Sequence, residues 1–214
     1  MGATVRIAFV TGNAGKFATA HEHLEALGVE LDQVTLGLDE IQSSSVEDVA
    51  LHKARQAFRA LGRSVIIEDS GFCIDELNGF PGPLVKFVIR ALGAEGIARL
   101  ADQTATRQCH FQSVLVYVDD HGVPRIFVDE GDGGTIAEKP TTKPQPGSWS
   151  ALWDVFVPTG CTEPLAALRD SERAQVFGEW AKQSVFTQFG EWLGRKPQSD
   201  DAIRAGGGPC QEAK

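Results

Sequence analysis

Residues 5–10, VRIAFV, form a nearly continuous apolar run of the kind that builds a buried strand. Phe17, Ala20, Leu24 and Leu27 then recur at helical spacing until Gly28 offers a stop. Residues 34–38 read as a second strand. Ser45-Val46-Glu47-Asp48 resembles a capping box, and Val46, Val49, Ala50, Ala54, Ala57, Phe58 and Leu61 trace one helical face before Gly62. Residues 65–67 predict another buried strand, broken by Glu68-Asp69-Ser70-Gly71. Residues 83–92 read as a helix, and 171–193 as one long closing helix. Between them, 111–118 and 125–128 alternate like a hairpin around Asp119-Asp120-His121-Gly122. Helices alternating with strands, followed by a hairpin, predict an α/β class with a mixed sheet.

Length and composition narrow this picture. The 214 residues suit one domain, expected over 1–194, while the glycine-, proline- and charge-rich stretch 195–214 reads as a disordered tail. With 20 Lys+Arg against 29 Asp+Glu the net charge is -9, which argues against a nucleic-acid or anionic-membrane partner. Cys73, Cys109, Cys161 and Cys210 are scattered without metal or redox spacing, so reduced thiols and a cytoplasmic location are expected. No apolar run suggests a signal peptide or a membrane span.

An acidic chain that binds phosphate needs local lysines, backbone amides or a divalent metal. VTGNAGK, residues 10–16, joins a strand to a helix start, where backbone N–H groups and the helix dipole favour an anion. It is not a Walker A loop, because the glycine spacing is too short and Phe17 follows Lys16. Standing alone it reads equally as a tight turn with a solvated lysine. Lys53 falls near the apolar stripe of its helix, where it either snorkels to solvent or meets an anion. Asp39-Glu40 and Glu68-Asp69 each close a predicted strand; such pairs either begin loops or hold a hard cation such as Mg²⁺.

Taken in order, these pieces resemble the inosine triphosphate pyrophosphatase family, whose members hydrolyse non-standard purine nucleoside triphosphates to the monophosphate and pyrophosphate. The resemblance is carried by Thr11-Gly12-Asn13 with Lys16, Asp39-Glu40-Ile41-Gln42, Lys53-Ala54 with Ala57, Glu68-Asp69-Ser70-Gly71, and Leu77-Asn78-Gly79-Phe80-Pro81-Gly82. It implies an elongated, twisted mixed sheet flanked by helices, in two lobes around a nucleotide cleft. It also implies that the triphosphate lies over Thr11-Gly12-Asn13, that Lys16 and Lys53 neutralise phosphates, and that Glu40 and Asp69 bind Mg²⁺. Asp69 would activate water, so Asp69, Glu68, Lys16 and Lys53 form the expected catalytic set. Ser70 and Lys86 match positions that help hold substrate, and a homodimer is implied.

The second half departs from that family. Where most members carry Phe-Gly-aromatic-Asp, this chain reads Ser148-Trp149-Ser150-Ala151-Leu152-Trp153-Asp154, so Trp153 and Asp154 survive and Trp149 becomes a candidate for stacking on the base, with both tryptophans as packing residues the equal alternative. The family's lysine and Ser-His-Arg, whose donors read the purine O6, correspond here to Arg173 and Phe177-Gly178-Glu179. If Glu179 faces the base, an acceptor has replaced a donor, favouring a purine that bears an amino group, guanine being the simplest; a Glu179 on the solvent side of its helix is the competing account. The expectation is a pyrophosphohydrolase with altered base specificity. A nucleotide-binding sensor or partner protein that no longer catalyses is the alternative.

Overall fold

The computed structural model describes residues 5–25, 27–142, 148 and 150–194. Trp149 and the expected tail over 195–214 lie outside the described residues. The strands are β1 (Val5–Val10), β2 (Val29–Val34), β3 (Val65–Ile74), β4 (Pro81–Gly82), β5 (Gln108–Val118), β6 (Pro124–Ile136) and β7 (Phe156–Pro158). The helices are α1 (Ala14–Glu25), α2 (Val46–Leu61), α3 (Val85–Ala101), α4 (Asp170–Gln183) and α5 (Val185–Gly194). The strands form one open mixed sheet in the order β2-β1-β3-β5-β6-β7, with β4 paired on β3.

β1 runs parallel to β2 along its whole length, from Val5↔Val29 to Val10↔Val34. It meets β3 only at Ala8↔Val65 and Phe9↔Ile66. On its other side β3 is fully paired with β5, antiparallel from Val65↔Val118 to Ile74↔Cys109. Residues 67–71 of β3 therefore have a strand neighbour on one side only among the described residues, up to the β4 contact at Phe72↔Gly82. A gap at such a switch point is where open α/β sheets admit ligands.

Successive residues of β3 face opposite sides. Ile66 joins α1 and α5 in one core with Phe9, Leu24, Leu115 and Phe189. Val65 and Ile67 join α2 in another with Ala8, Val46, Ala54 and Val114. A third core lies farther along the sheet, where Phe72, Phe111, Trp153 and Phe156 pack with Ile97 of α3. α2 is held at both ends as its sequence suggests: the Ser45 hydroxyl accepts from Asp48 N–H at 3.2 Å, and Gly62, at φ 62°, closes the helix on Phe58 O.

Four expected elements change. β3 does not break at Glu68 but runs on to Ile74, because alternation lets charged side chains leave the sheet while the backbone stays paired with β5. The second strand is Val29–Val34 instead of 34–38; its VELDQV pattern buries Val29 and Leu31 on one face, a weaker signal than a continuous apolar run. The helix expected to end at Leu92 continues past a break at Gly93, φ 66°. The long closing helix is two helices: Ser184 leaves helical geometry at ψ 152°, and its hydroxyl accepts from Thr187 N–H at 3.2 Å to start α5.

Candidate functional site

The turn between β1 and α1 is fastened by its own side chains. Thr11 Oγ1 accepts from Asn13 N–H at 3.1 Å, and Asn13 Oδ1 accepts from the N–H groups of Gly15 and Lys16 at 2.9 and 3.1 Å. Asn13 thus caps α1, which satisfies two of the free donors of its first turn and fixes where Lys16 departs.

Lys16 reaches the α1 face of β3. Its Nζ lies 2.6 Å from Glu68 Oε2, as an ion pair without the alignment of a hydrogen bond, and donates to Ser70 Oγ at 3.1 Å. On the α2 face Lys53 Nζ donates to Asp69 Oδ2 at 2.9 Å and Glu40 Oε1 at 2.8 Å. Burial alone draws the Lys53 ammonium down, but the Asp69 and Glu40 carboxylates together outweigh it, so its pKa ends above the ordinary lysine value.

Glu40 belongs to the loop between β2 and α2, not to a strand end. That loop is clamped by Gln56 of α2, whose side chain donates to Asp39 O at 2.8 Å and accepts from Asp39 N–H at 3.1 Å. Gly71 allows the neighbouring segments to close in. A Cβ there would lie 2.7 Å from Val46 Cγ2 and 2.9 Å from the Gly82 carbonyl carbon.

A cleft of about 800 Å³ collects Thr11, Gly12, Asn13, Lys16, Glu40, Lys53, Glu68, Asp69, Ser70 and Lys86 in its wall. Its wall also has an apolar part, Ile89, Phe111, Leu152 and Trp180 of one packed cluster, and Phe186 of another, with Ser113 and Ser150. None of these apolar residues was a candidate from the sequence. Trp180 was nonetheless legible, because Arg173, Val176, Phe177 and Trp180 fall at the spacing of one helical face.

The structure does not bring Trp153, Asp154, Arg173 or Glu179 into that lining. Trp153 is 4% exposed and packs between the Arg173 guanidinium, 5.5 Å from its ring, and Phe177, 5.6 Å away. Arg173 itself is buried. Its Nη1 donates to Leu165 O and Leu168 O at 3.0 and 2.9 Å, and its Nη2 to Asp170. The two Nη1 bonds tie α4 to the preceding loop. Asp154 accepts at its backbone oxygen from Thr141 N–H, and burial pushes its carboxyl above the usual carboxylate range. Glu179, expected at the base, has a side chain 63% exposed and paired with Lys182 at 2.7 Å, one position off the inward stripe of α4.

Comparison with known proteins finds relatives over most of the chain. A dITP/XTP pyrophosphatase of Methanopyrus kandleri is 36% identical over 191 residues, covering 85% of this chain and 98% of the relative. An inosine triphosphate pyrophosphatase of Trypanosoma cruzi is 34% identical over 173 residues, covering 80% and 85%. Among solved structures, a nucleoside-triphosphatase / dITP/XTP pyrophosphatase of Mycobacterium abscessus superposes with a TM-score of 0.65 at 26% identity, over 82% of this chain and 94% of that one. A HAM1 protein of Coxiella burnetii shares the fold, with a TM-score of 0.68 at 21% identity, over 88% and 98%. The Ham1 family model matches residues 7–177, a span that takes in the capped turn, both lysine–carboxylate clusters and most of the inward stripe of α4, and the chain belongs to the Ham1 family.

Proposed function

We propose that this chain is a Mg²⁺-dependent nucleoside triphosphate pyrophosphohydrolase, converting a purine nucleoside triphosphate and water to the monophosphate and pyrophosphate. The observation that carries this reading is the position of Lys53 between Glu40 and Asp69, beside Lys16 with Glu68, in one cleft. Similarity to a dITP/XTP pyrophosphatase, 36% identical and matched over 98% of its length, favours the enzyme over the sensor.

The donor set suits the metal. A cation, the Lys53 ammonium, already lies within 2.9 Å of both Glu40 and Asp69, and every donor is a hard oxygen. Among the described residues no group of three or more His, Cys, Asp or Glu forms a metal site, so substrate phosphates would supply further ligands. Bound by Glu40 and Asp69, Mg²⁺ would offset the charge on the phosphoryl oxygens. The capped turn at Thr11-Gly12-Asn13 orients the triphosphate, and Lys16, Lys53 and Lys86 neutralise it. Ser70 helps hold it beside Lys16. Water attacks the α-phosphorus, pyrophosphate departs, and Asp69 accepts the proton of the attacking water.

Base specificity is altered relative to the dITP/XTP and inosine triphosphate relatives. Supporting this, Arg173 is committed to backbone carbonyls and Phe177-Gly178-Glu179 offers no side-chain donor. A guanine preference through Glu179 loses its support, since Glu179 stands in solvent. Pyrophosphate release with Mg²⁺ from ITP, XTP, dITP, GTP and ATP tests the reading. Release that Asp69→Asn lowers by about 10²-fold to 10³-fold upholds it, and no release from any triphosphate overturns it.

The protein is further proposed to be cytoplasmic and homodimeric, with neither nucleic acid nor membrane as a partner. Its net charge of -9 supports the first exclusion, and no helix among the described residues is long and apolar enough to cross a membrane. Ile41, Phe80, Leu84 and Phe87 expose apolar surface, Phe87 at 59%, which supports a self-association face. Light scattering of wild type and Phe87→Glu checks it.

A further inference from the structure

We infer that Trp180 is the platform on which the base stacks, and that this chain reads its base by a π face where donors are expected. The inference rests on the nucleotide-cleft reading above and deepens it.

The first support is position along β3. Phe72 shares the face of β3 that carries Glu68 and Ser70, opposite to that of Asp69, and lies two residues, about 7 Å, beyond Ser70 along the strand. Phe72 pairs across the sheet with Phe111, and the Phe111 ring lies 6.1 Å from that of Trp180. The indole therefore borders the cleft on the Lys16–Ser70 side of β3, where a base would arrive if its phosphates lay against Lys16 and Ser70.

The second support is rigidity. Trp180 is half-buried, with Phe111, Phe156 and Phe177 at 6.1, 6.0 and 5.4 Å, each ring inclined to it by 55° to 61°. Inclined neighbours hold an aromatic ring in one orientation.

The third is the chemistry around it. Among the described residues the cleft lining holds no Arg or His, and its lysine nearest to this wall is Lys86, one turn of α3 before Ile89; the hydroxyls of Ser113 and Ser150 line it too. The Ser150 hydroxyl accepts from Leu152 N–H at 3.2 Å. Stacking tolerates any base, because every base has a π face. The contribution of Trp180 itself to selectivity among purines is consequently flat.

The experiment measures pyrophosphate release from ITP, XTP and GTP by wild type, Trp180→Ala and Trp180→Phe, with inorganic tripolyphosphate as a base-free competitive inhibitor. Thermal melting confirms that each variant is folded. Trp180→Ala should raise KM roughly 10-fold or more for all three nucleotides, leave kcat nearly unchanged, and leave tripolyphosphate inhibition unaltered. Trp180→Phe should recover most of the loss. An unchanged KM in Trp180→Ala, or an equal loss of tripolyphosphate binding, overturns the inference. If wild type releases no pyrophosphate from any nucleotide, the pyrophosphohydrolase reading fails instead. Quenching of tryptophan fluorescence by ITP, present in wild type and lost in Trp180→Phe, would then still uphold the stacking role; quenching that persists in Trp180→Phe would overturn it.

Discussion

Glu68 and Asp69 are neighbours in the chain and yet lie on opposite faces of β3, Glu68 against Lys16 of α1 and Asp69 against Lys53 of α2. The two acids are therefore not interchangeable. Asp69→Asn is expected to lower kcat by about 10²-fold to 10³-fold, while Glu68→Gln acts through Lys16 and shifts KM as well. Steady-state kinetics of the two variants, with melting curves as a folding control, separates these outcomes.

Lys53 predicts a pH dependence. Its folded pKa is raised above the ordinary 10.5 by Asp69 and Glu40 against the pull of burial, so its contribution to stability is fully present below 10.5 and is lost as pH rises through the raised folded value. Thermal melting of wild type and Lys53→Met through this alkaline range checks the sign. Their difference should shrink only above pH 10.5.

Asp154 predicts the opposite use of a carboxyl. Burial raises its folded pKa above the ordinary 3.8, so ionising it weakens the fold as pH rises from that value. Asp154→Asn is expected to melt higher than wild type at neutral pH, with the gain fading toward pH 3.8. A melting temperature at neutral pH equal to or below that of wild type would contradict it.

Gly71 sets how closely β4 and α2 approach the cleft. A Cβ at 2.7 Å from Val46 Cγ2 and 2.9 Å from backbone carbon at Gly82 has nowhere to go without moving both. Gly71→Ala should cost about 1–3 kcal/mol in urea unfolding and reduce activity by displacing Asp69 and Ser70.

Arg173 and Glu179 should behave unlike base-reading groups. Arg173→Ala leaves the carbonyls of Leu165 and Leu168 without this donor, at a cost of about 1–3 kcal/mol, with kcat/KM of the folded fraction little changed. Glu179→Gln removes only an exposed pair with Lys182 and should alter neither stability nor the ITP-to-GTP ratio measurably. Urea melts and paired kinetics check both.

The phosphate end of the cleft was legible in sequence because short contiguous runs carry it. Asn13 caps the helix that presents Lys16, and Ser45 caps the helix that presents Lys53, so local geometry and candidate chemistry agree. The aromatic end was not legible in the same way, because Phe111, Leu152 and Trp180 meet only after the sheet and α4 have assembled. The helix register still held a clue. Arg173, Val176, Phe177 and Trp180 share one face, which turns Trp180 inward and Glu179 outward. The clamp of Gln56 on Asp39 left no trace in the sequence, since a polar residue on a helix announces no partner.

The pairing of Lys16 and Lys53 with acid has a consequence for how a substrate finds the cleft. Lys16, Lys53 and Lys86 are matched in number by Glu40, Glu68 and Asp69 in its wall, within a protein of net charge -9. A bare triphosphate approaching from solvent meets no attractive field to hasten its encounter. One that arrives already complexed with a divalent cation carries less repulsion inward and brings the positive charge that these carboxylates can exchange for their lysines.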